Sequence, residues 1–88
     1  MIDEIKLALR IDGTEDDDRL VSLISAAETE IKNSTGVVVD ENDPFHRSVV
    51  TLLVMKYYDL DMAEQLKPII ENMLIQLQYC SGETNESE

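Results

Sequence analysis

Four consecutive carboxylates, Glu15, Asp16, Asp17 and Asp18, form the densest group of potential ligands in the chain. Set side by side, they could coordinate a cation, imitate the phosphates of nucleic acid, or open a helix. A calcium loop of the EF-hand kind needs oxygen ligands at positions 1, 3 and 5, glycine at 6 and glutamate at 12. Counted from Asp12, the glycine position holds Asp17 and the glutamate position holds Leu23, so the spacing rejects that metal site. Helix initiation fits better. Thr14 followed three residues later by Asp17 matches the capping pattern [ST]-x-x-[DE]. Carboxylates in a first turn also oppose the positive end of the helix dipole, each for about 0.3–1 kcal/mol before salt screening. Adjacent carboxylates repel, and a helix start uses only two or three of them. Asp16 and Asp18 are therefore left as a candidate partner surface.

Other reactive residue types are sparse. His46 has no cysteine, serine or second histidine at a recognisable spacing, which makes it a surface or interface histidine rather than a catalytic one. Cys80 has no adjacent base or cation to activate it and reads as an inert thiol near a helix end. One cysteine and one histidine cannot supply the usual zinc sets, and no glycine-rich phosphate loop is present. No catalytic residue, metal or cofactor is expected, and the chain reads as non-enzymatic.

The elements that carry these residues follow from apolar spacing. Ile2, Ile5 and Leu9 predict a short amphipathic helix that stops before Gly13. Leu20, Leu23, Ile24, Ala27 and Ile31 predict a second helix, with Gly36 where a left-handed C-terminal residue is wanted. Val37, Val38 and Val39 then form a short extended segment before a polar turn. Asp43-Pro44 reads as an N-cap followed by proline at the first helical position. The third helix, Pro44 to about Leu60, is apolar almost all round between Val49 and Tyr58 and should be central, with one ring of Tyr57 and Tyr58 in the core and the other at its rim. A linker, DLDMAEQL, leads to a last helix beginning near Pro68 with an apolar stripe of Ile70, Met73, Leu74 and Leu77. The predicted architecture is all-α, a small bundle of three main helices plus a short N-terminal helix. Leu23, Ile24, Ala27, Leu53 and Leu74 are expected in its core. Residues 1–80 form the domain and residues 81–88 an acidic, frayed tail without apolar residues.

Composition limits the partners. A single domain of 88 residues buries only about 60% of its unfolded surface, so self-assembly or partners are expected from size alone. With 43% hydrophobic residues the chain is globular despite its net charge of -12. Nineteen acids against seven bases oppose independent binding to nucleic-acid backbone or anionic membrane. No apolar run reaches membrane-span length, and Asp3 and Glu4 stand where a signal peptide needs positive charge, so the chain reads as cytosolic.

The line D-G-x-x-D-D-x-x-L-x-x-L-I-x-A-A-x-x-x-I-x-x-x-T-G is carried here by Asp12, Gly13, Asp16, Asp17, Leu20, Leu23, Ile24, Ala26, Ala27, Ile31, Thr35 and Gly36. Followed by a proline-containing loop, VVTLLVMKYYDL and a last helix, it resembles the phage gp6-like head-tail connector family, also described as DNA-packaging proteins, over roughly Met1 to Tyr79. One departure is that Tyr58 is followed by Asp59-Leu60-Asp61, where members often carry arginine. The resemblance implies a structural protein forming a homo-oligomeric ring, of portal-matching twelvefold symmetry, between the portal and tail-side connector or completion proteins. It would assemble in the host cytoplasm and end in the virion. Asp16 and Asp18 would then face the DNA channel or a partner, and Val37, Val38 and Val39 would form a subunit interface. A strongly acidic wall would let DNA pass without binding it. The rival reading is an acidic DNA mimic or adaptor occupying a host DNA-binding enzyme. Against it, the carboxylates gather at Glu15–Asp18, Asp40–Asp43 and the tail rather than in extended rows.

Overall fold

The stripe Ile2, Ile5 and Leu9 closes as α1 (Ile2–Leu9), with Ile5 fully buried. Its stop is made by Arg10, whose backbone is left-handed (φ 60°, ψ 42°) and whose N–H donates to the Leu7 carbonyl. The computed structural model describes the backbone of residues 1–86 and the side chains of residues 1–79. After an exposed turn, α2 (Asp17–Thr35) buries Leu20, Ala27 and Ile31 at helical spacing. It ends at Gly36, whose φ of 79° is the left-handed conformation that a side chain resists.

Asp43 starts α3 (Pro44–Tyr58) by accepting from the backbone N–H groups of Phe45, at 2.8 Å, and His46, at 3.4 Å. Pro44 occupies the first turn, where no N–H is needed. Val49, Val50, Leu53 and Val54 are all fully buried, because α3 is the central helix: α1, α2 and α4 all pack on it. By contrast, no Cα of α1 lies within 8 Å of one in α4. They occupy separate flanks of the bundle.

The expected linker and late helix start are corrected. A single helix, α4, spans Leu60–Glu86 and contains Pro68 in its interior. Asp59 alone joins α3 to α4. Its N–H closes α3 on the Met55 carbonyl at 2.9 Å, while its Oδ1 accepts from Asp61 N–H at 3.0 Å and its carbonyl from Met62 N–H at 3.1 Å. With the helix already begun at Leu60, Pro68 leaves the Glu64 carbonyl without its helical donor, a defect costing on the order of 3 kcal/mol in a helix interior. Burial of Leu66, Ile70 and Leu77 along the same helix offsets it.

The chain is thus an all-α bundle with a short N-terminal helix and no strand among the described residues. Its core holds Ala27 and Leu53 as expected. Leu23, Ile24 and Leu74 are only half-buried and pack against that core from its edges. Cys80 and the acidic tail of residues 81–88 lie outside the described side chains.

Candidate functional site

The four acids divide by what reaches them. Asp17 Oδ1 lies 2.8 Å from Lys6 Nζ, and the same ammonium donates to the Gly13 carbonyl. Lys6 therefore ties α1, the turn and the first residue of α2 together. Asp16 Oδ2 accepts from the Tyr58 hydroxyl at 2.9 Å, and the guanidinium of Arg19 lies 4.7 Å from the centre of the Tyr58 ring. Hydrogen bonding to Asp16 is the main cause that raises the Tyr58 phenol above its ordinary range. Burial and the Asp16 charge add to it, and Arg19 opposes it. Glu15 and Asp18 are exposed and form no ion pair among the described residues.

The capping box expected of Thr14 and Asp17 does not form. Asp16 occupies the N-cap position, and α2 has no side-chain cap hydrogen bond. Thr14 is exposed and contributes its backbone carbonyl, which accepts from Asp17 N–H at 3.2 Å. The physical reason is competition: Asp17 is drawn to Lys6 and Asp16 to Tyr58, so neither carboxylate turns back to the helix start. Asp43, in contrast, has both of its donors in the adjacent turn.

The Val37–Asp43 loop is closely tied to the helices on either side. Thr35 Oγ1 donates to the Ile31 carbonyl and accepts from Val37 N–H, turning the chain inward. Val37 is consequently buried in the chain's own core, which removes it from the expected subunit interface. Val39 is half-buried, and Val38 is 70% exposed. His46 Nδ1 accepts from Asp40 N–H at 2.9 Å, so this ring nitrogen is committed to holding the loop. Arg47 donates to the Glu41 carbonyl and approaches Glu4 Oε1 to 3.2 Å, linking the loop to α1. Glu28 on α2 has a buried Oε2 without a hydrogen-bond partner. Burial first, then the Glu41 carboxyl, raises its pKa above the usual carboxylate range.

Sequence spacing missed Lys6, Tyr58 and Asp59 as organising residues. Lys6 and Tyr58 act across 11 and 42 positions, beyond any helical period. Asp59 carried a local signal, since Asp59-Leu60-Asp61 has an Asx residue ahead of an apolar-periodic segment, as an N-cap does. Among the described residues no group of three or more metal-ligating side chains is arranged to hold an ion, and no helix is long and apolar enough to cross a membrane.

The arrangement is one of anchored and projecting charge. Two acids stiffen the corner between α1, α2 and α3, while two extend into solvent. No curated protein and no solved structure shows significant similarity to the chain. The family model described as phage gp6-like head-tail connector protein matches residues 1–82, spanning all four helix starts and the whole acidic corner. The chain therefore belongs to the phage gp6-like head-tail connector family.

Proposed function

We propose that this structural subunit assembles as a ring of portal-matching twelvefold symmetry, between the portal and the tail-side connector or completion proteins, with a central channel for DNA. The observation that carries the reading is the family match over residues 1–82. The charge supports it physically. At a net charge of -12, with Lys6 and Arg47 already paired to carboxylates, the surface has few cations to displace phosphate counterions. Such a wall repels DNA and lets it slide.

Within this reading Glu15 and Asp18 line the channel or meet a partner, while Asp16 sets the shape of that corner. Val38 is the apolar point of its loop that a neighbouring protein covers. Subunits fold and associate in the host cytoplasm and remain in the virion at the head-tail joint. The test is electron microscopy of the concentrated chain, alone and mixed with the portal of the same phage. Rings with an open centre in either sample support the proposal. A chain that neither forms rings nor decorates the portal overturns it.

A further inference from the structure

His46, on the first turn of α3, closes a small ring of hydrogen bonds with the Val37–Asp43 loop. Its backbone N–H donates to Asp43 Oδ1 at 3.4 Å, Asp43 N–H donates to the Asp40 carbonyl at 2.9 Å, and Asp40 N–H donates back to His46 Nδ1 at 2.9 Å. Asp40 Oδ1 also accepts from Asn42 N–H at 2.9 Å, so the loop turns on Asp40. Of these bonds only the imidazole one depends on a type of group that titrates near neutrality. A neutral imidazole keeps one accepting nitrogen, whereas an imidazolium has none. With Nδ1 accepting, the neutral ring carries its proton on Nε2, 3.8 Å from Asp43 Oδ2. A second proton must therefore enter at Nδ1, where it meets the Asp40 N–H. Two donors cannot share one bond.

We propose that His46 is a proton-operated clip: its neutral ring pins the loop at Asp40, and protonation of Nδ1 releases residues 38–40 while the helices stay folded. The charged groups around it are the carboxylates of Asp40, Glu41 and Asp43, Arg47 with its partner Glu4 of α1, and Glu28 and Lys32 of α2, which line a cleft with Val38 and Val39. Carboxylates outnumber cations there, so the added positive charge has partners while its hydrogen bond does not. Release stays local. The Asp40 N–H is exposed, so water satisfies it once the ring lets go. Val37 remains held by Thr35 and its own burial, and the Glu41 carbonyl by Arg47, so the chain loosens between those two points. Val38 and Val39 lie in that stretch, and protonation changes how their apolar surface is offered beside α2. The clip acts within one subunit, so it and ring assembly can each fail without the other.

The test is NMR of the isotope-labelled chain from about pH 8 to about pH 5, the span in which imidazoles titrate. In the parent, the Asp40 amide resonance should move with the same midpoint as the His46 ring protons. Exchange protection of that amide, corrected for intrinsic rate, should fall about tenfold, the worth of one hydrogen bond, with helicity by circular dichroism unchanged. His46→Asn sets a carbonyl oxygen that does not titrate where Nδ1 stands, so its Asp40 amide should keep the bonded position throughout. His46→Phe should show the released position at every pH. Glu28, whose carboxyl is raised by burial and then by Glu41, also gains a proton on acidification, so the shared midpoint should persist in Glu28→Gln. Should His46→Asn also sit in the released position, that persistence decides. An Asp40 amide that titrates in His46→Asn as in the parent, or stops titrating in Glu28→Gln, assigns the change to carboxylates and overturns the clip. It is equally overturned by a ring that titrates without moving that amide, a ring that takes no proton before the helices unfold, or helicity lost at the same midpoint.

Discussion

The Tyr58 hydroxyl donates to Asp16 at 2.9 Å, joining the last residue of α3 to the N-cap position of α2 across 42 positions of sequence. The preceding residue, Tyr57, donates instead to Glu30, 14 residues farther along α2 than Asp16. At about 1.5 Å of rise per residue, the backbones of those two residues are separated by about 20 Å along α2. Adjacent rings therefore reach in opposite directions, and the C-terminal end of α3 is held across the middle of α2.

Asp16 and Asp18 should consequently behave differently. Asp16→Asn should lower the melting temperature and return the Tyr58 phenol toward its ordinary range, visible in an alkaline absorbance titration. Asp18→Asn should leave both unchanged. A phenol raised in the folded state favours folding below the ordinary tyrosine pKa, and that contribution is lost as pH rises through the folded value. The parent should therefore lose stability in strong alkali more steeply than Tyr58→Phe. Equal melting of Asp16→Asn and parent would mean that the bond contributes nothing.

Capping gives a second contrast. Asp43→Ala removes an acceptor used by two backbone donors and should cost about 0.5–2 kcal/mol. Thr14→Ala removes an exposed side chain that caps nothing and should stay within about 0.5 kcal/mol of the parent. Urea unfolding of the two variants decides it. Similar losses in both would restore a capping role to Thr14.

Leu53 is fully buried at the centre of α3. Leu53→Ala should cost about 2–5 kcal/mol from lost transfer energy and the residual cavity. For a domain of this size each kcal/mol lowers the melting temperature by roughly 4–8 °C, so a fall of less than about 5 °C would contradict this packing.

Glu28 should make stability depend on pH in the sense opposite to a salt-bridged acid. Its raised folded pKa favours the protonated carboxyl, so its contribution is present at acid pH and lost as pH rises through the folded value. Glu28→Gln should accordingly melt higher than the parent at neutral pH, and the gain should shrink as pH falls into the carboxylate range. A gain that is absent at neutral pH, or that grows on acidification, would show that Glu28 is not strained by its burial beside Glu41.

The sequence by itself determined what depends on neighbours a few positions away. The apolar stripes of α1 and α2, the Asp43-Pro44 start of α3, Gly36 at the end of α2 and the all-α class all rest on contacts within about one helical turn, where spacing dictates which side chains meet. The continuous apolar run of α3 likewise marked it as the helix that others cover. Tertiary structure decided the rest. Thr14 and Asp17 had the local pattern of a capping box, yet Lys6 and Tyr58 drew the neighbouring carboxylates away, and no period in the sequence encodes contacts over 11 or 42 residues. Val37 looked available to a partner until the Thr35 turn directed it into the core. Pro68 looked like a helix start, but Asp59 had already begun α4, and burial of Leu66 and Ile70 offset the lost hydrogen bond. In each case a local preference of a few kcal/mol or less was overridden by packing and pairing that exist only once the helices are assembled.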